Sequence, residues 1–269
     1  MISLFDPLET GLASGKASEI SFIKKSRIFF DCEEEANPPF GRQRISFSEQ
    51  TIGDRFGERG QEITIKDKYA FSEGIIEGKK LYYFSKPLFM GFKVSDLLML
   101  YSDSYFYCFY DAPEDFQDDI ENLQLQNIFF PNKSETCLGV NVCFSSLSSP
   151  RKNCDINVFE NERYVSKNGK RLYYENDLIY GAIFSSPGMY ECNVKRIKNR
   201  YNELAKIYLE KTKVLERFEC QTQLSLQLAR SINYTISNSK ELNGLFSIVD
   251  EIEFINKGAS DSCKLYRSF

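Results

Sequence analysis

Histidine is absent from the 269 residues. Within this chain that removes every Ser-His-Asp and Cys-His catalytic pair, every imidazole base and every His-ligated metal site. Acid–base chemistry would have to rest on Asp, Glu, Lys, Tyr or Cys. Tryptophan is absent too, so the 14% aromatic content is all Phe and Tyr and favours strands with a half-buried face. No Cys-x-x-Cys occurs among the eight cysteines, and Cys137, Cys143 and Cys154 stand too far apart for a zinc ribbon or knuckle. No metal site and no cofactor are therefore expected. Eight cysteines are also too sparse for a disulfide-stapled small scaffold, which predicts free, mostly buried thiols in a reducing cytosol. The start "MISLFDPLET" has neither a basic nor an apolar leader region, and runs such as "DLLMLY" are far too short to span a bilayer. The last residues, "YRSF", are not a prenylation box. The expectation is a soluble, cytoplasmic protein without a membrane partner.

What is present is ordinary for a globular chain: 42% apolar and 27% charged residues, enough for one large or two modest domains. A net charge of −4 argues against a general nucleic-acid coat protein. Residues 18–76 read as short strands between charged turns. In "SEISFIKKSRIFF", Ile20, Phe22, Ile28 and Phe30 share one parity, and Pro38, Pro39 and Gly41 mark a loop. From residue 78, "KKLYYF", "DLLMLY" and "SYFYCFY" read as an antiparallel meander, although "VSDLLML" also fits a short capped helix. The acidic "DAPEDFQDDIE" (111–121) reads as a solvated loop or helix start. "KNGK" at 167–170 is a hairpin turn, and "DLIYGAIFSSPGMY" a short buried segment.

Residues 189–236 carry no Pro or Gly. Val194, Ile197, Tyr201, Leu204, Tyr208, Leu215 and Phe218 recur at helical spacing, broken by Lys211, which predicts one long helix or two in series. Between 195 and 217, eight Lys and Arg residues face three glutamates. A solvated face accounts for them, and this basic helix is the one place where an acidic or nucleic-acid partner could dock. The tail from 256 reads as a frayed end.

Two apparent motifs fail on chemistry. "GLASGKAS" (11–18) has three residues, not four, before its Gly-Lys, and Ala17 stands where a magnesium-binding hydroxyl is needed. Asp118-Asp119 and Glu33-Glu34-Glu35 are adjacent in sequence, whereas a hydrolytic pair must oppose each other across a cleft.

"QNIFFPNKSETCLG" (126–139) is more specific: an Asn, an apolar pair, a turn, then Cys-Leu-Gly. It resembles the region around the active cysteine of ubiquitin-conjugating enzymes. It is most similar to protein B of the ParB-related, ThiF-related cassette, a prokaryotic family of that kind. Asn127-Ile128-Phe129 matches the family's first element, Cys137-Leu138-Gly139 the second and "GAIFSS" (181–186) the third, with Ser186 where the family has histidine. The resemblance covers residues 78–190. It implies that Cys137 carries a ubiquitin-like C-terminus as a thioester, with a ThiF-like adenylating enzyme and a small ubiquitin-like protein as partners. It also implies that Asn127, or Asn132 from the nearer Pro131-Asn132 pair, donates to the oxyanion.

The expected fold is α+β: a strand-rich N-terminal region (1–77), a ubiquitin-conjugating-like domain built on the central meander (78–188) and a C-terminal helical region (189–269) that contains the long helix. Two functions stay open. One is the thioester carrier; the other is a non-catalytic binding or scaffold protein of the same fold, holding a partner by the acidic loop or the basic helix. "TCLGVNVCF" also alternates as a strand would, with Cys137 and Cys143 buried on one parity.

Overall fold

The computed structural model describes residues 14–34, 41–65, 68–132, 136–146, 153–217, 220 and 224–266. It is α+β, with two six-stranded sheets and a helical C-terminal part. The first sheet comprises β1 (Ala17–Glu33), β2 (Arg42–Glu49), β3 (Ile63–Ile65), β4 (Tyr69–Phe71), β5 (Ile75–Met90) and β6 (Phe92–Ser102). Its order is β3-β2-β1-β5-β6-β4. Alternation in β1 works as its parity predicts: Ile20, Ile28 and Phe30 are buried, and Ile28 and Phe30 pair with Phe47 and Ile45 of β2. β5 and β6 are buried on both faces, which is why they read as continuous apolar runs rather than alternating ones. "DLLMLY" is thus a strand within β6, and the helical alternative for it falls.

The sheet curls on itself. Ile20, Ile45, Ile65, Ala70, Leu81 and Leu98, at least one from each of the six strands, form a single apolar cluster closed by Met189. At the seam the Gln43 amide stands in for a ladder rung: its Nε2 donates to Ala70 O (2.5 Å), and Ala70 N donates to its Oε1 (2.9 Å).

The expected meander over 78–110 is an antiparallel pair, β5 and β6, after which the chain leaves for the second sheet. The expected boundary at 77/78 lies within β5. The second sheet holds β7 (Tyr107–Tyr110), β8 (Ile128–Phe129), β9 (Val140–Phe144), β10 (Ile156–Phe159), β11 (Tyr164–Lys167) and β12 (Lys170–Tyr173), in the order β12-β11-β10-β9-β7-β8. Its β8-β7-β9-β10 portion is parallel, and helix α1 (Glu114–Glu121) carries the crossover from β7 to β8. Asn168 and Gly169, both at positive φ, make the predicted hairpin turn between β11 and β12.

Between the sheets runs α2 (Leu178–Phe184), almost wholly buried. Its Phe184 ring meets Phe84 and Tyr101 of the first sheet and Tyr107 and Phe109 of the second. Gly181 lets the helix close on β4, since a Cβ there would lie 2.7 Å from the Phe71 ring. Ser186 then caps α3 (Pro187–Glu216), accepting from Met189 N, with Pro187 in the first turn. Pro187-Gly188 therefore opens the long helix.

The two-helices-in-series expectation holds, with α4 (Leu224–Asn233) following α3 and α5 (Leu242–Gly258) after it. Val194, Ile197 and Tyr201 are buried; Leu204, Tyr208 and Leu215 pack partly against the core, and Phe218 lies outside the described residues. Up to Tyr266, the last described residue, the tail is fastened rather than frayed. The buried Asn256 amide donates to Tyr266 O (2.8 Å) and accepts from Leu265 N (2.7 Å), and Leu265 is fully buried. The expected break at Lys211 serves the same end, because its ammonium donates to Leu265 O.

The cysteines depart most from expectation. All eight are paired: Cys32–Cys192, Cys108–Cys137, Cys143–Cys154 and Cys220–Cys263. Two of the bridges explain how the outer face of the second sheet is covered. Tyr107, Phe109, Val142 and Phe144 point into the main core, so Cys108, Tyr110 and Cys143 point away from it. The two disulfides bring Cys137 and Cys154 over that face.

Candidate functional site

Cys137 precedes β9, with its sulfur bonded to Cys108 of β7 across a Cα–Cα distance of 6.3 Å. Its N–H donates to the Tyr110 hydroxyl (3.3 Å). Gly139 follows because a Cβ there would lie 2.2 Å from Phe106 O. Asn127 adopts φ +60°, donates from Nδ2 to Asp103 O (3.0 Å) and accepts Tyr107 N at its own carbonyl (2.9 Å). Its amide thus shapes the turn leading into β7. Asn132 is exposed on the chain after β8, and Lys133 and Glu135 lie outside the described residues. "GAIFSS" is buried α2 and the α3 cap, so the third matching element is core. The structure groups Cys137 with Cys108, Tyr110, Cys143 and Cys154, and the free-thiol expectation is corrected by these pairings.

"GLASGKAS" leads into β1. A phosphate loop needs a helix after it, so the rejection of that motif stands on topology as well as on spacing. Among the described residues no group of Asp, Glu and Cys side chains is arranged to hold a metal. The basic residues of α3 do not form one docking face. Arg196 and Lys198 are buried, Lys195 pairs with Glu34, Arg200 donates to Val94 O, and Lys206 and Lys213 pair within the helix.

Two clefts do carry concentrated charge. The first, about 530 Å³, lies where α1 meets the turn after β10 and the segment before α2. Phe116 and Ile120, four apart on α1, are buried, while Asp115 and Asp119 line the cleft. Arg163 and Asn176, both at positive φ, turn the chain so that Tyr174 N donates to Arg163 O, which brings Glu160 beside Glu175 and Asp177. Five carboxylates, with Phe116, Tyr174 and Tyr180, thus surround one space.

Two cations partly balance them. Arg163 pairs with Glu175, and Lys86 pairs with Asp119, which also accepts from the Tyr180 hydroxyl. Burial pushes the Glu175 carboxyl above its ordinary range despite Arg163. Burial likewise raises Asp177, with Lys86 opposing and the Asp119 charge adding to the shift. Sequence reading saw only the 111–121 half of this cleft, because the other half comes from residues 160–180.

The second cleft, about 340 Å³, separates α3 from the chain after α4 and is lined by Glu34, Lys195, Lys198, Asn199 and Asn202. Lys198 is 5% exposed and donates to Asn202 and to Ile232 O (3.4 Å), a carbonyl at the C-terminal end of α4. Burial lowers its pKa to about 8. Among the described residues no carboxylate pairs with it. Its charge rests on amide and carbonyl oxygens and on the helix end.

No helix among the described residues is long and apolar enough to cross a membrane. Comparisons of this chain with protein-family models, with curated proteins and with solved structures find no match.

Proposed function

We propose that the chain is a disulfide-cross-linked, non-catalytic binding protein whose acidic cleft takes an alkylammonium ligand, such as a polyamine or a lysine side chain of a peptide. The observation that carries this reading is the convergence of Asp115, Asp119, Glu160, Glu175 and Asp177 on one cleft, against which the described residues set two cations, Arg163 in its lining and Lys86 paired with Asp119. Glu160, Glu175 and Asp177, whose carboxyls burial raises above their ordinary range, gain from an added cation. Four disulfides fit an oxidising compartment, which replaces the reducing cytosol in this reading. The thioester carrier would need Cys137 as a thiolate, and its sulfur is held by Cys108. With that step goes the need for an adenylating enzyme and a ubiquitin-like partner.

Titration calorimetry of the oxidised protein with spermine and with a lysine-containing peptide tests the proposal. Saturable binding is expected, weakened about tenfold or more by Asp115→Asn with Glu160→Gln, two surface carboxylates whose replacement spares the core. Absence of saturable binding, or equal binding by the variant, sinks the reading. Alkylation of Cys137 by iodoacetamide without reductant would return the thioester carrier to first place.

A further inference from the structure

Partway along β1 the ladder to β5 breaks between Ser21 and Ser26, so that Phe22 to Lys25 bulge out of register. Phe22 stays packed on the cluster inside the curled sheet. Ile23 does the opposite and is 99% exposed. The turn after β2 lies against the bulge, with Gln50 N donating to Lys25 O (2.8 Å), and it closes on itself through Thr51 N to Arg55 O (2.8 Å). That turn presents Ile52, 96% exposed. The two isoleucines line one shallow concavity of about 510 Å³ with Lys24, Lys25, Gln50, Thr51 and Lys79, and no carboxylate lines it among the described residues. Lys25 pairs with Glu77, which also holds Arg27. Lys24 and Lys79 have no ion-pair partner among the described residues.

We propose that this tip, made of the β1 bulge and the turn after β2, docks on an anionic lipid bilayer, with Ile23 and Ile52 entering the acyl boundary and Lys24, Lys25 and Lys79 lying among the headgroup phosphates. Interfacial binding needs both components on one small surface: apolar side chains to bury and cations to meet the anionic lipids. A nucleic acid or other soluble polyanion would use the lysines alone, leaving two almost fully exposed isoleucines without a role. One hydrogen bond between bulge and turn and one within the turn hold the tip together before contact, so little ordering is required on docking.

Co-sedimentation with phosphatidylcholine vesicles containing phosphatidylglycerol tests this with the intact chain. The protein is expected to sediment with these vesicles and to stay in solution with phosphatidylcholine alone. Ile23→Ser with Ile52→Ser, and separately Lys24→Glu with Lys79→Glu, should each lower partitioning by at least about tenfold. All four positions are solvent-exposed, so the fold is kept. Ile207→Ser, an exposed isoleucine on α3, should change nothing. No sedimentation overturns the proposal. A loss with the lysine pair but not the isoleucine pair also overturns it, pointing to a soluble polyanion, and an equal loss with Ile207→Ser shows unspecific adsorption.

Discussion

Lys198 shows how one side chain can tie stability to pH. Its pKa falls to about 8 in the fold because burial disfavours the ammonium, against the ordinary value of 10.5 in the unfolded chain. Between those two values the unfolded state holds a proton that the folded state has released. Stability therefore rises as pH climbs through about 8 toward 10.5, and that contribution is lost as pH falls back through 8. Allowing for the water that reaches the cleft, the gain is about 1–3 kcal/mol. Lys198→Met removes the titrating group while keeping its bulk. Urea unfolding of both proteins at pH 7 and pH 10 is expected to show wild type gaining on the variant by that amount. A constant difference would mean that Lys198 keeps its ordinary pKa in the fold. Lys167 is the instructive contrast: equally buried, it faces Glu73 at 2.6 Å and donates to Ile183 O and Ser185 O at the end of α2. Burial lowers the pKa of Lys167 as well, but there Glu73 opposes the shift, whereas among the described residues no carboxylate pairs with Lys198.

At the scale of elements, the main fastening is the hold of α3 on the curled sheet. Cys32, near the end of β1, is bonded to Cys192 on α3 across 160 residues of sequence. The next residue, Asn193, donates to Ala70 O (2.7 Å), and one turn on Arg196 donates to Gln43 Oε1 (3.1 Å) with its guanidinium 4.8 Å over Tyr69. Helix and seam are thus joined by a covalent bond and a buried polar network together. In the chain-entropy picture a loop of that length adds about 5 kcal/mol, against about 3 kcal/mol for the short loop closed by Cys143–Cys154. Cys32→Ser with Cys192→Ser should therefore lower unfolding free energy more than Cys143→Ser with Cys154→Ser, measured in urea under oxidising conditions. The reverse order would show that native contacts, rather than loop length, set the contribution of each bridge. The same element shows what a sequence carries. Periodicity located α3 and its buried Val194, Ile197 and Tyr201, and parity located the inner face of β1, because both patterns are local. The Cys32–Cys192 pairing, the Gln43 seam and the burial of Arg196 and Lys198 join residues far apart in the chain, and no local pattern announces them. The acidic cleft was half legible for the same reason: Asp115 and Asp119 sit in a visible charge run, while Glu160, Glu175 and Asp177 are scattered over turns.

For the molecule as a whole, the two sheets differ in what covers them. β5 and β6 of the first sheet are buried on both faces, by the main core on one side and by the curled cluster closed by Met189 on the other. The second sheet meets the main core on one face only. Its outer face around Cys108, Tyr110 and Cys143 is covered by the two disulfides and the short segments they hold down. A main core of this extent can hold much of a 269-residue chain together without cross-links, so reduction need not unfold everything at once. It should loosen the second sheet first. Once Cys137 and Cys154 are freed, the face they covered meets water, and β9 loses the bridge from Cys143 that pins the chain leading into β10. Hydrogen exchange after mild reduction is therefore expected to show early loss of protection over 136–146 and 153–159, while 81–90 and 94–101 stay protected. If all four segments lose protection together, the disulfides hold the whole molecule as one unit. If none does, the outer face is held without them and the bridges contribute little in the native state. Only the graded outcome fits a molecule whose second sheet has cystines where the first has a second core.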